Sequence, residues 1–174
     1  MESHKAEILK ELKEKFDEAK KELGFKSSFE EVEELCQIKD AVLGAGFVSD
    51  GFSRQLCSRI VDFYASWMNY LHGILMPNTA HMVNMTEANF FNKEEKQEIA
   101  KTISEIMSII SINSEVKMTR DRKEESKFID ESVKYWQIKL KAKGSELMIK
   151  VKKGWEEQAK KPKQEQKKEY SAWG

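Results

Sequence analysis

The chain has 174 residues, of which 34% are charged, 2 are proline and 8 are glycine. This length suffices for one sizeable core, and the scarcity of turn residues argues against an architecture of many β-strands. The formal net charge is zero, but residues 1–116 carry 13 basic and 20 acidic side chains, whereas residues 117–174 carry 17 and 10. The sequence therefore predicts a mostly helical protein with a basic C-terminal part.

The first predicted helix covers residues 3–23, because apolar side chains recur there every three or four residues on a charged background. They are Ile8, Leu12, Phe16, Ala19 and Leu23. Ser28 followed by Glu31 is typical of a capping box and predicts that a second helix begins there and continues to Gly44.

The third predicted helix begins near Ser49 or Asp50 and continues to Met76, because no breaking residue occurs before Pro77. At about 1.5 Å per residue it would be roughly 40 Å long, and we expect it to lie at the centre of the fold. It overlaps a segment, residues 63–86, that contains no Asp, Glu, Lys or Arg. Such a segment is the natural place to expect a core, an interface or a pocket.

The second half of the chain predicts further helices. Asn92 and Glu95 form another capping pattern, and isoleucines follow at 99, 103, 106 and 110, with a weak point at Asn113. A helix over residues 119–143 should end at a break at Gly144, and a last helix should precede Pro162. The pattern predicts an all-α fold: a compact bundle of five to six helices in one domain, residues 1–160, with a basic, flexible tail, residues 161–174.

Polar side chains in and beside the uncharged segment form the candidate pocket for a ligand or partner. These residues are Arg59, Asp62, Asn69, His72, Asn78, His81 and Asn84. The two histidines have no metal-ligand spacing, so we expect a hydrogen-bonding role and no bound metal. The alternative interpretations are a surface ion pair between Arg59 and Asp62, and capping of a buried loop by the asparagines.

Lysines near the C-terminus are candidate contacts for an anionic partner such as RNA. They are Lys150, Lys152, Lys153, Lys160, Lys161 and Lys163. Lysines interleaved with aromatic residues can bind phosphates and stack on bases, whereas a mixture of Lys and Glu is also common on any solvated helix.

The sequence also limits the classes of function. It shows no nucleophile elbow, phosphate-binding loop, dinucleotide fingerprint or paired-cysteine zinc site, so an enzyme is not favoured and no cofactor is expected. The charged N-terminus lacks a signal peptide, and no apolar run approaches the roughly 20 residues of a membrane span. We therefore expect a cytoplasmic, non-enzymatic interaction module or scaffold, with self-association through helical faces as one form of binding. The alternatives are RNA binding and a small-molecule or metal site near His72 and His81.

Overall fold

The computed structural model describes residues 2–160, which are all-α and contain no β-strand. The helices are α1 Glu2–Leu23, α2 Phe29–Cys36, α3 Ile38–Ala45, α4 Phe52–Leu75, α5 Met82–Ala88, α6 Lys93–Thr119, α7 Arg122–Tyr135, a π-helical turn Trp136–Leu140, and α8 Lys141–Lys160. The predicted tail, residues 161–174, lies outside the described residues. None of the described helices is long and apolar enough to cross a membrane.

The chain divides into two compact units. The first consists of the residues up to Ser66 together with Ile106–Ile138, and the second of Trp67–Glu105 together with the residues from Lys139 onward. The helices α4 and α6 each contribute residues to both units. The single domain expected over residues 1–160 stays a prediction.

Phe16 lies at the middle of the apolar core of the first unit. Its ring meets those of Phe25, Phe29 and Phe52 edge to face, with centroids 5.4, 5.2 and 6.4 Å away. The predicted stripe on α1 is confirmed, because all five of its apolar residues are buried. The capping box at Ser28 is also confirmed, since the Ser28 backbone N–H donates to the Glu31 carboxylate and the Glu31 N–H donates to the Ser28 hydroxyl.

The predicted second helix differs from the structure, which divides it into α2 and α3 at Gln37. Gln37 has a φ of 50°, in the left-handed region that ends a helix. Its backbone N–H donates to the Glu33 carbonyl, and the Glu33 carboxylate accepts from the N–H of Lys39 in the next helix. No glycine or proline marks this turn, so the sequence pattern gave no sign of it.

Two large buried polar side chains of the first unit differ in their hydrogen bonding. The hydroxyl of fully buried Tyr64 donates to the Ser132 carbonyl at 2.6 Å, and burial raises the pKa of this phenol far above its ordinary value. Glu125 is 1% exposed, and neither carboxylate oxygen has a hydrogen-bond partner in the described part of the chain. Its nearest charged partner is Arg54, whose Nε lies 3.7 Å from Oε2. Within the described residues, Arg54 is therefore the one positively charged group within ion-pair distance of this buried carboxyl group.

The predicted break at Gly144, in the second unit, is wrong, because α8 continues through this residue. A Cβ atom at Gly144 would lie 2.6 Å from Cη2 of Trp67, and one at Gly154 would lie 2.5 Å from the ring of Phe90. Both distances are shorter than real contacts between carbon atoms. At each of these glycines an aromatic ring therefore packs directly against the backbone of a continuous helix.

Two further boundaries differ from the prediction. Asn113 is 3% exposed and lies inside α6, which continues to Thr119, so the expected weak point is absent from the helix. The predicted helix over residues 119–143 begins instead at Arg122, after the Asp121 carboxylate caps the Lys123 N–H at 2.7 Å, and widens into the π-helical turn after Tyr135.

We predict that removal of Arg54 destabilises the protein mainly by leaving Glu125 buried without a counter-charge. Arg54→Ala should lower the free energy of unfolding by about 2 kcal/mol or more, because an unpaired buried charge is costly. In a Glu125→Met background the same change should cost less than about 0.5 kcal/mol, as for an ordinary surface residue. A double-mutant cycle by urea denaturation measures this coupling, and purely additive effects would contradict it.

We also predict opposite effects of alanine at two helical glycines of the second unit. Gly144→Ala should destabilise by about 1–3 kcal/mol, because the new methyl group must displace the Trp67 ring. Gly73→Ala on α4 should instead stabilise by up to about 1 kcal/mol through helix propensity, since that position has open space around it. Urea denaturation measures the change in the free energy of unfolding for both variants. Equal changes would show that the Trp67 ring does not pack against Gly144.

Candidate functional site

The candidate site is an open groove of about 430 Å³ in the second unit, which we call the α8 groove. Its apolar lining comes from α4, α6, α8, the π-helical turn and the segment before α6. These residues are Trp67, Leu71, Phe91, Ile99, Leu140 and Leu147. Four of them are buried, whereas Trp67 and Leu147 are half-buried and present apolar surface at the opening of the groove. An apolar group entering the groove would contact these two side chains.

Charged side chains form the rim of the α8 groove. They are Glu94, Glu95 and Glu98 on α6, and Lys143, Glu146 and Lys150 on α8. The capping box predicted at Asn92 positions the first turn of α6: the Asn92 N–H donates to Glu95 at 2.8 Å, and the Glu95 N–H donates to the Asn92 side chain at 2.9 Å. The following turns then present Glu98, Ile99 and Thr102 to the groove.

Both rim lysines are bound to groups on α6. Lys150 forms an ion pair with Glu95 and lies over the Phe91 ring, 5.5 Å from its centroid. Lys143 donates to the Thr102 hydroxyl at 3.2 Å and lies 3.9 Å from the Glu98 carboxylate. The exposed carboxylates of Glu94 and Glu146 have no ion-pair partner within the described residues. The uncompensated charge on the rim is therefore negative.

The hydrogen bond from Lys150, together with that from the Asn92 backbone, lowers the pKa of Glu95 below its ordinary value. The ammonium group of Lys150 therefore favours the ionised carboxylate. The side chains of both residues are more than a third exposed, so the ion pair is screened by solvent and acts mainly to orient Lys150 along the rim.

A second cavity of about 610 Å³, the Ile149 cleft, adjoins the α8 groove, and Glu146 and Lys150 line both. Its remaining lining residues are Asn89, Phe90, Ile149, Lys153, Gly154 and Glu157. Ile149 is 55% exposed and so adds apolar surface to the cleft. The two cavities therefore form one surface along α8.

Beside Gly154, at the Ile149 cleft, two aromatic residues pack together, and one of them is hydrogen-bonded to a carboxylate. The Trp155 indole N–H donates to Glu87 at 2.9 Å, and its ring meets Phe90 edge to face at 5.5 Å. Burial, with a smaller contribution from the negative charge of Glu87, raises the pKa of Tyr70 to about 12. This phenol therefore stays neutral over the physiological range.

The residues of the predicted pocket do not line either cavity. Asn69, His72, Asn78 and His81 are exposed, and Asn84 is half-buried. The Asn78 carboxamide oxygen instead accepts the Ala80 N–H at 2.9 Å, as expected for a side chain that stabilises a turn. No group of three or more His, Cys, Asp and Glu side chains in the described part of the chain could hold a metal ion.

In the first unit, Arg59 and Asp62 do not pair with each other. The Arg59 guanidinium donates to the Cys36 carbonyl at 3.4 Å, and Asp62 is exposed. Cys36 and Cys57 are buried free thiols, and burial raises the pKa of each to about 12. Neither thiol is therefore an ionised nucleophile near neutral pH.

The candidate lysines occupy different sides of α8. Lys150 is bound at the groove rim, whereas Lys152, Lys153 and Lys160 are exposed. At about 100° per residue, Lys152 points away from the groove side of the helix, while Lys153 and Lys160 lie at one edge of that side. Lys161 and Lys163 lie outside the described residues. The described lysines therefore do not form one basic patch.

Sequence reasoning missed the α8 groove, although two of its lining residues, Trp67 and Leu71, belong to the uncharged segment. The sign that could have identified the groove is the pair of glycines at 144 and 154 in a helix otherwise rich in lysine. Comparison with protein-family models, with curated proteins and with solved structures found no match for this chain.

We predict that the ion pair of Lys150 with Glu95 contributes stability at neutral pH and loses it in acid. Because the folded-state pKa of Glu95 is lowered, the contribution is present above the unfolded-state value, near 4, and is lost as pH falls through the folded-state value. Glu95→Gln keeps a residue able to form the capping box but removes the charge. The variant should be less stable than the parent at pH 7 and approach it near pH 3, as measured by urea denaturation.

The control for this prediction is Glu94→Gln, in the same turn of α6 but without an ion-pair partner among the described residues. Both carboxylates experience the helix dipole, so the comparison isolates what Glu95 gains from Lys150 and from the Asn92 N–H. Identical pH profiles for the two variants would mean that the ion pair adds no stability.

Proposed function

We propose that this chain is a non-enzymatic interaction module that binds a partner protein in the α8 groove. The observation that supports the proposal is an apolar floor left open between helices, with Trp67 and Leu147 half-buried at its mouth. Grooves of this kind, lined by apolar side chains and bordered by a few polar ones, are typical binding surfaces.

The chemistry of the groove supports binding in preference to catalysis. Its lining contains no histidine or cysteine, and its two lysines contact acidic and hydroxyl groups on α6. A general acid or base needs a pKa near the working pH, whereas the pKa of Glu95 is lowered by its hydrogen bonds to Lys150 and Asn92. Glu95 therefore stays ionised and serves as a fixed charge.

The cellular setting is part of the same proposal. Buried, unpaired cysteines suit a reducing compartment, so we propose that the chain acts in the cytoplasm. Self-association would be one form of protein binding, in which the partner is another copy of this chain.

A selection experiment with matched variants tests the proposed function. A library of helical peptides displayed on phage is selected on the full chain, and the enriched peptides are tested on two variants. Leu147→Glu places a charge in the groove, whereas Met148→Glu makes the same kind of change at the next residue, which is exposed and lines neither cavity. Circular dichroism establishes that both variants are folded.

We expect the enriched peptides to lose at least about tenfold in affinity for Leu147→Glu and to bind Met148→Glu like the parent, because a buried charge in an apolar contact is costly. Selection that enriches no peptide, or peptides that bind both variants equally, would contradict the proposed function.

A further inference from the structure

We infer that the occupant of the α8 groove is an amphipathic helix of a partner protein, with Lys or Arg on both sides of its apolar stripe. This inference rests on the proposed function and adds the shape and charge of the partner. It follows from two features of the surface, the spacing of its lining residues and the balance of its charges.

The spacing indicates a helical occupant. Nine residues of α8 line the two cavities, at 143, 144, 146, 147, 149, 150, 153, 154 and 157. At about 100° per residue they all fall on one broad side of the helix, over its whole length from 143 to 157. The α8 groove and the Ile149 cleft share Glu146 and Lys150, so these residues border one continuous, elongated surface, along which a second helix can lie.

The length of this surface sets the length of the occupant. From Lys143 to Glu157, α8 rises about 21 Å, or roughly four helical turns. A partner helix of about 14 residues would match it, with anchors at positions i, i+3 or i+4, and i+7. Trp67 and Leu147 in the α8 groove, and Ile149 in the Ile149 cleft, would receive those anchors.

The charges indicate a basic occupant. Five glutamates and three lysines line the two cavities, for a net charge of −2 (3 − 5 = −2). Two of the lysines, Lys143 and Lys150, already contact glutamates of α6. The acidic side chains outside these contacts are Glu94, Glu146 and Glu157, against Lys153 alone.

The position of the remaining charges of α8 strengthens this argument. Lys141 and Lys152 lie on the side of α8 opposite to the lining residues, by the 100° rotation per residue of a helix, and Lys160 lies at one edge of the groove side, beyond the last lining residue Glu157. The charge of Lys141 and Lys152 is therefore directed away from the groove, and the surface that an occupant meets between Lys143 and Glu157 is acidic. Such a surface attracts a cationic helix and repels an acidic helix or a phosphate backbone.

Two synthetic peptides of the same length and with the same apolar stripe test the inference. One carries Lys and Arg beside the stripe, and the other carries Glu at those positions. Fluorescence anisotropy measures their affinities for the full chain. We expect the basic peptide to bind at least about tenfold more tightly at about 0.05 M salt, and this preference to shrink at about 0.5 M salt, because the charges are exposed and screened.

A charge-reversal variant and a matched control locate the effect. Glu94→Lys combined with Glu146→Lys should abolish or reverse the preference for the basic peptide. Glu131→Lys combined with Glu156→Lys changes the net charge by the same amount at exposed residues outside both cavities, and should retain the preference. Equal loss of preference in the two double variants would overturn the inference, because overall charge would then explain it.

Other results separate the inference from the proposed function. If both peptides bind equally and Leu147→Glu abolishes both, the groove is a binding site but the inferred basic partner is wrong. If neither binds and the phage selection also fails, the proposed function itself is wrong. The inference is also overturned if a peptide of residues 161–174, a single-stranded RNA or a second copy of the chain binds the groove more tightly than the basic helix.

Discussion

Two aromatic rings packed on two glycines determine the form of the second unit. Trp67 occupies the space that a side chain at Gly144 would need, and Phe90 does the same at Gly154. Helices approach closely where one contributes no side chain, so each ring fills the interface without pushing α8 away. Leu147 and Lys150, which lie between the two glycines on α8, then face the α8 groove. The α8 groove and the Ile149 cleft therefore lie where aromatic rings contact α8 directly, at Gly144 and at Gly154.

Among the described residues of the first unit, some buried or half-buried polar groups have hydrogen-bond partners and others do not. Tyr64 has a short hydrogen bond to a carbonyl, and the Asp130 carboxylate accepts the backbone N–H groups of Lys26 and Ser27 and the Ser27 hydroxyl. Bonds of this kind fix the approach of distant segments at little net cost. Glu125 is different, because within the described residues its oxygens accept no hydrogen bond and Arg54 is the charged group within ion-pair distance. Glu125 is therefore sensitive to a change at Arg54.

Features that depend on neighbouring residues were predictable, whereas features that depend on distant contacts were not. The α1 stripe and the capping boxes at Ser28 and Asn92 follow from patterns a few residues long, and all are confirmed. The space beside Gly144 in α8 is filled by the ring of Trp67, which is 77 residues away in the chain (144 − 67 = 77). A local pattern contains the glycine but not the ring that fills its place, so it predicts a break.

The same reasoning explains why the uncharged segment was a poor guide to the candidate site. Its candidate polar residues line neither cavity, and four of them, Asn69, His72, Asn78 and His81, are exposed, while its apolar residues Trp67 and Leu71 form part of the groove floor. The rim comes from charged stretches of α6 and α8. An apolar floor that stays open to water needs charged neighbours to limit nonspecific association. A binding groove therefore combines residues from apolar and charged segments, which only the fold brings together.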